Sequence, residues 1–362
     1  MYNKNEIAIL YLDTIGLSPK KCQEIISELG SPENIFISRG QKILSKYLDQ
    51  VYVDYLKSNT YEKIENKLLK PLEKYDIFAV TIVSSGYPEI LKNIADPPIV
   101  LYTRGDSSLL SKQKIGVVGT RKISSYGKDV TAKFSKELVS AGLVTVSGLS
   151  YGVDTVCAKA SLEEKGKTIA VLAGGLDSIY PADNVSLSEK IIKEGGLLVS
   201  EYRPGVRPKQ YSFLARNRII SGLCDGVLVV EAGLKSGSMS TANFAIEQNR
   251  ELFVVPGNIN SPQSAGTNDL INQIPDCFTI SVNQILDRLH VAHVESKKDT
   301  KNLQLDFLSS EVVELLKQGE LHFDEICQKL SVEASQLAST LTMLEIMGII
   351  NKNAGNYYSL AL

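Results

Sequence analysis

Histidine is nearly missing from this chain. Among 362 residues there are three, His290, His293 and His322, all in the last quarter. The large middle region has none, so serine–histidine and cysteine–histidine catalysis is excluded there, and acid–base chemistry would have to come from carboxylates. Cysteine is sparse and scattered. Cys22, Cys157, Cys224, Cys277 and Cys327 form no CxxC, which argues against a zinc site or a disulfide framework and fits a reducing cytoplasm. No apolar run is long enough to span a membrane. The opening stretch MYNKNEIAILYLDTIG does not read as a secretory signal, because its apolar run is short and broken by Asp13. A strong charge of either sign is also lacking. The net charge is −2, with ordinary contents of 43% hydrophobic and 22% charged residues, so the total points to no partner.

A nucleic-acid binder with this balance must gather its cations locally, and one segment does. Between Glu201 and Asp225 there is no acid, but there are Arg203, Arg207, Lys209, Arg216 and Arg218, with Tyr202, Tyr211 and Phe213 among them. Lys209, Tyr211 and Phe213 alternate, so in an extended segment they share a face. Charge for a backbone and rings for unpaired bases are what a single strand needs, at roughly 1–3 kcal/mol of stacking per base. The plainer alternative is that Phe213 fills the core. Arg216, Asn217 and Arg218 either engage successive phosphates or bury an arginine against Glu201 or Glu231; a mixture of the two is expected.

Residues 1–75 read as short helices. In TIGLSPKKCQEIISELGSPENIF, Ser18-Pro19 opens a helix and Gly30 closes it. The unit resembles a helix–hairpin–helix, with Ser18 where a second glycine is usual, and serves either as a packing domain or as a DNA contact. Residues 76–290 form the core. Turn signals at Gly86-Tyr87-Pro88 and Asp96-Pro97-Pro98 flank the short strand IVLYTRG. From residue 114 short apolar runs alternate with amphipathic segments: KIGVVG, LVTVS, TIAVLA, LLVS, GVLVVE and ELFVVP. Strands of this kind are buried on both faces and joined by right-handed crossovers. The fold class is α/β, a Rossmann-like doubly wound parallel sheet with ligand at the carboxyl ends of its strands. No GxGxxG follows any strand, so no dinucleotide cofactor is expected.

Four strand ends hold candidate residues. Gly119-Thr120-Arg121 offers close backbone approach, a hydroxyl and a bidentate fork; alternatively it is a simple turn with a solvated arginine. Gly148 and Gly152 bracket a loop before Asp154, read as a helix N-cap, and Asp177 is read as a structural loop residue. After GVLVVE, the Ser236-Gly237-Ser238 turn and Thr241 supply amides, hydroxyls and the positive end of a helix dipole, for a phosphate or for N-capping alone. This turn lacks GxxxxGK[ST], so ATP hydrolysis is not expected.

Residues 291–302 read as a polar linker and 303–362 as a winged helix: helices near 309–318, 323–330 and 334–346, then a hairpin turning at Asn353-Ala354-Gly355. From Ser309 onward seven acids face three lysines, and the candidate recognition helix has no basic residue. DNA affinity rests largely on phosphate neutralisation, so a protein-contact role is favoured for this domain.

The motifs VGTRKIS, SGLSYGVD, AGGLDSIYPADN, SEYRPGVRPKQYSFLARNRIISG, VVEAGLKSGSMSTA and VPGNINSPQSAGTNDLI, in this order, resemble the DNA-processing protein A (DprA/Smf) family. The resemblance implies a non-enzymatic single-stranded DNA binder that protects incoming DNA and loads the RecA recombinase during natural transformation. It implies a homodimer through the Rossmann-like core, with no cofactor. It also implies DNA contact at Arg121 of the GTR motif, at Lys209, Arg216, Asn217 and Arg218, and phosphate contact at Ser236, Gly237, Ser238 and Thr241; the residues themselves add Gly119, Thr120, Tyr211 and Phe213. Tyr151 stands where the family commonly has arginine, and Leu214 where it has proline. The alternative is a nucleotide phosphoribohydrolase-like enzyme on a similar core, but its PGGxGTxxE signature is missing.

Overall fold

The computed structural model describes residues 2–292, 307–317, 319–346, 349–353 and 355–360. Most of the linker expected at 291–302, and Ala354 of the hairpin turn, lie outside the described residues. The chain forms two compact units, Met1–Val294 and Glu295–Leu362.

The first unit is built on an eight-stranded sheet. Its strands are β1 Phe78–Thr81, β2 Val100–Gly105, β3 Lys114–Val118, β4 Val144–Ser147, β5 Thr168–Leu172, β6 Leu197–Ser200, β7 Gly226–Val229 and β8 Glu251–Val254. They lie in the order β1-β2-β6-β5-β4-β3-β7-β8. The strands β3 to β8 run parallel, and β1 and β2 add an antiparallel edge. All six apolar runs read from the sequence are strands, and β1 extends the expected set. Alternation along the strands feeds two cores. Ile115, Val117, Leu228 and Val230 face the helices Ser125–Ser140 and Val153–Glu163. Val118, Val227 and Val229 share the opposite core with Ile219, Ile220 and Ala242 of the helices Gln210–Gly222 and Gly237–Glu247. The sheet is thus covered on both faces, as continuous apolar strands require.

From β3 the chain steps outward through β4, β5 and β6, then returns to β3's other side for β7 and β8. The strand order reverses between β3 and β7, and in such sheets that is where the crevice opens.

The N-terminal helices share one apolar core with the sheet edge: Ile7, Leu10 and Leu12 cluster with Val100, Tyr102 and Leu198. Helix Pro19–Leu29 is capped by Ser18, whose hydroxyl accepts from Lys21 N, and ends at Gly30 with φ 72°. Two polar contacts reinforce the junction. The Tyr102 hydroxyl donates to Asp13 Oδ2 at 2.7 Å, and Arg203 donates to the Thr14 carbonyl at 2.6 Å.

The second unit has helices Phe307–Leu316, Phe323–Leu330 and Ala334–Ile346, with a three-stranded sheet of Leu321–His322, Tyr357–Leu360 and Ile350–Asn353. Val312, Leu316, Ile326, Leu337, Leu341 and Ile350 fill its core. This is the winged helix expected from the sequence.

Two predictions follow from the polar contacts of the first unit. Burial holds the Asp13 carboxyl up at about 6, outweighing the Tyr102 hydroxyl and the Arg203 cation. An unfolded aspartate titrates near 3.9, so the folded chain binds this proton more tightly. The resulting stability is present at low pH and lost as pH rises through about 6. Asp13→Asn should therefore be more stable than wild type at pH 8, by ~1–3 kcal/mol, with the gap closing towards pH 4 in thermal melts. The second concerns Arg218, which donates to Glu201 Oε1 at 2.8 Å and to Oε2 at 2.6 Å, with little of either side chain exposed. Arg218→Leu should cost ~3–5 kcal/mol in urea unfolding, because it strands a buried carboxylate. Adding Glu201→Leu should restore part of that loss; a double variant as weak as the single would show that the stranded charge is not the cause.

Candidate nucleic-acid interface

At the carboxyl end of β3, the three residues Gly119-Thr120-Arg121 have separate tasks. A Cβ on Gly119 would lie 2.4 Å from Val153 Cγ2 and 2.8 Å from the Glu231 carbonyl, so glycine here serves helix–sheet packing. Thr120 braces the turn. Its N–H donates to the Glu231 carbonyl at 2.6 Å, its carbonyl accepts from Val153 N at 3.2 Å, and its hydroxyl accepts from Lys122 N at 3.1 Å. Arg121 is left pointing outward, exposed, with its guanidinium 5.2 Å from the centre of the Phe213 ring. The buried Glu231 carboxylate accepts from both Ser124 N and Ser124 Oγ, fixing the start of the next helix.

At the carboxyl end of β4 the glycine has a different reason. A Cβ on Gly148 would meet the Arg216 guanidinium at 2.5 Å. Arg216 is 3% exposed. It donates to the Gly148 carbonyl at 2.7 Å and to the Val171 carbonyl of β5, and its Nε donates to Asn217 Oδ1 at 3.2 Å. Burial lowers its pKa to about 10, opposed by Asp154, so the group stays cationic at neutral pH. Asp154 is not the N-cap expected. That position is Gly152, with φ 75°. Asp154 sits inside the helix, and its Oδ2 accepts from Gly148 N at 3.2 Å and Ser150 N at 3.1 Å. Burial raises its pKa against the Arg216 charge and these two amides.

Beyond β7, Ser236 caps the helix Gly237–Glu247. Its Oγ accepts from Ser238 N and lies 2.7 Å from Ser238 Oγ. Asn217 holds this turn in place, donating to the Gly237 carbonyl at 3.2 Å and to Ser240 Oγ at 3.0 Å. Gly237 has open space where a side chain would be; of the first-turn amides, Ser238 N is taken by the Ser236 hydroxyl and Met239 N by the Ser236 carbonyl, which leaves that of Gly237. Thr241 is buried one turn on.

These pieces line one groove of about 430 Å³: Gly119 and Arg121, Phe213, Arg216 and Asn217, and Ser236, Gly237, Ser238 and Thr241. It sits where the strand order reverses. Its deep parts are the buried Arg216, Asn217 and Asp154, and its rim is the exposed Arg121 and the half-buried Phe213. The Phe213 ring also meets Tyr180 edge-on at 5.6 Å, and Tyr180 is 54% exposed.

The other candidates lie elsewhere. Lys209, Tyr211 and Phe213 do not share an extended face, because a helix begins at Gln210. Residues two apart on a helix point away from each other. Tyr211 therefore lines a separate groove, and Lys209 sits exposed at the cap, its Nζ 5.9 Å from the Tyr211 ring. Arg218 has turned away from Arg216 for the same reason and is committed to Glu201 and the Asp96 carbonyl. Asp177 has the structural role read from the sequence, accepting from Gly205 N at 2.9 Å. Sequence reasoning missed Asp154 and Ser150 as groove residues; their adjacent glycines were the available signal.

Two family models match this chain. Residues 78–290 match the DNA recombination-mediator protein A family, and residues 296–356 match the DprA winged helix domain. The DNA processing protein DprA of Bacillus subtilis is 45% identical over 229 residues, which is 62% of this chain and 76% of that protein. The Streptococcus pneumoniae DprA is 42% identical, over 57% of this chain and 72% of that protein. Its X-ray structure superposes with a TM-score of 0.67 at 33% identity, covering 79% of this chain and 98% of that one. The Helicobacter pylori DNA processing protein A, whose structure describes a single-stranded DNA binding mode, superposes with a TM-score of 0.54 at 34% identity over 59% of this chain and 95% of that one. The chain therefore belongs to the DNA recombination-mediator protein A family, the DprA/Smf proteins.

Proposed function

We propose that this protein binds single-stranded DNA in the groove between β3 and β7, protects the strand, and loads a RecA recombinase onto it during natural transformation. One observation carries the reading: an outward guanidinium over an aromatic ring, at the rim of a groove lined by the serine-rich start of a helix. Arg121 offers charge to a phosphate, Phe213 offers a face to a base, and the Ser236–Ser238 turn offers the Gly237 amide and a serine hydroxyl to the next anion. The single-strand binding described for the Helicobacter pylori relative supports it, and the family description as a recombination mediator supports the hand-over.

The groove binds without catalysing. Its one carboxylate among the described residues, Asp154, is held by two amides and sits beside a buried cation, a structural environment rather than that of a general base. The winged helix, with no basic residue on Ala334–Ile346, serves a protein contact. The protein works in the cytoplasm as a homodimer through the core; exposed Ile246, Phe278 and Ile280 near the edge strand β8 support that pairing.

Fluorescence anisotropy with labelled oligonucleotides tests the reading. Wild type should prefer single strands, with affinity falling as salt rises. Arg121→Glu should lose at least tenfold at unchanged melting temperature, and each lost phosphate contact should flatten the log–log salt slope by about 0.7. Equal affinity of the two proteins would remove this groove from the proposal. In sedimentation velocity, Ile280→Asp should shift the protein towards monomer; an unchanged dimer would move the interface elsewhere.

A further inference from the structure

We propose that the bound strand does not end in the first groove but crosses the N-terminus of helix Gln210–Gly222 and places its next bases in a second groove, against the N-terminal helices. The inference rests on the single-strand reading of the first groove.

That helix divides two grooves with its first turns. Phe213 and Leu214 line the first, and Tyr211 and Ala215 line a second of about 640 Å³. Tyr211 is 62% exposed, so much of its ring is open to a ligand. Lys209 stands at the helix cap between the two, exposed and beside the Tyr211 ring. A cation there would hold the phosphate of a crossing strand.

The second groove has its opposite wall on the turn between helices Lys4–Ile15 and Pro19–Leu29, where Leu17 and Pro19 line it. Three carboxylates, Asp13, Asp96 and Glu201, line it against two arginines, of which the exposed Arg203 keeps its charge beyond one carbonyl bond. Arg218 is paired with Glu201 and Asp96, Asp13 accepts from Tyr102, and Arg203 donates to the Thr14 carbonyl. A phosphate gains little in such a place, whereas a base finds the Tyr211 ring and apolar surface. The second groove thus takes bases, while the backbone stays outside with Lys209.

Span sets a length requirement. A helix with its side chains is about 10–12 Å across. The crossing therefore takes more than one nucleotide. A very short oligonucleotide fills the first groove alone, and a longer one reaches both.

The test compares oligonucleotides of about five and about fifteen nucleotides on full-length wild type, Phe213→Ala, Tyr211→Ala and Leu17→Glu, with melting temperatures recorded for each. Phe213→Ala should weaken both lengths. Tyr211→Ala should leave the short one unchanged and weaken the long one at least fivefold, the lower range of one stacked base. Leu17→Glu, on the far wall, should show the same length dependence. The inference is overturned if Tyr211→Ala weakens both lengths equally or neither, while Phe213→Ala still weakens both. Absence of wild-type binding at either length would instead remove the single-strand reading itself.

Discussion

The groove depends on one buried cation. Arg216 reaches from helix Gln210–Gly222 under the ends of two strands and donates to carbonyls of Gly148 and Val171. Those carbonyls lie where the chain leaves β4 and is about to leave β5, and the loops beyond them shape the groove. A buried guanidinium without compensation is costly. Here the compensation comes from the carbonyls, the Asn217 amide oxygen and the nearby Asp154 charge. Asp154 in turn ties the Gly148–Ser150 loop, and Asn217 ties the Ser236–Ser240 turn. Strand ends and the helix start are thus fixed relative to each other through one connected polar set. Its members face inward, which leaves the outer face of the groove to Arg121 and Phe213.

This division explains how a chain with net charge −2 can present a surface for a polyanion. The cations between Glu201 and Asp225 are not one patch. The buried Arg216 and Arg218 hold the scaffold through carbonyls and Glu201, while Arg203, Arg207 and Lys209 stay exposed, Arg203 with one bond to the Thr14 carbonyl. Removing a scaffold arginine and removing an exposed one are therefore different experiments, the first on stability and the second on binding.

Much of this was legible in the sequence. Continuous apolar runs such as GVLVVE identify strands buried on both faces, and their alternation with amphipathic segments specifies the wound sheet. The GTR and SGS stretches could be placed at strand ends because each follows such a run, GTR directly and SGS after the short link Ala232–Lys235. What the sequence did not show was direction. Whether Tyr211 and Phe213 share a face depends on where a helix begins, and the segment PKQYSF has no cap residue of the Ser, Thr, Asp or Asn type before Gln210 to announce it. Here Ser212 supplies the bond from inside the helix, its hydroxyl accepting from Lys209 N. Asp154 was misplaced for a related reason: a glycine at φ 75° caps the helix, which frees the carboxylate to reach back to the preceding loop. β1 went unread because FAVT is short and its first residue, Phe78, is 58% exposed.

The helical start of the chain has a consequence for the sheet as well. Antiparallel β2 covers the outer edge of β6, and the N-terminal helices close over β1 and β2 in one common core. An uncovered β6 would be an exposed edge, open to pairing with other chains. The same arrangement brings the turn at Gly16–Pro19 close to the loop that precedes Gln210, with Arg203 bonded to Thr14 between them. A region that reads in the sequence as a separate small domain is thereby built into the approach to the groove. The position of Lys209 and Tyr211 then depends on contacts made by residues near the start of the chain, and packing at residues 13–19 acts on the same loop as the cations of residues 203–218.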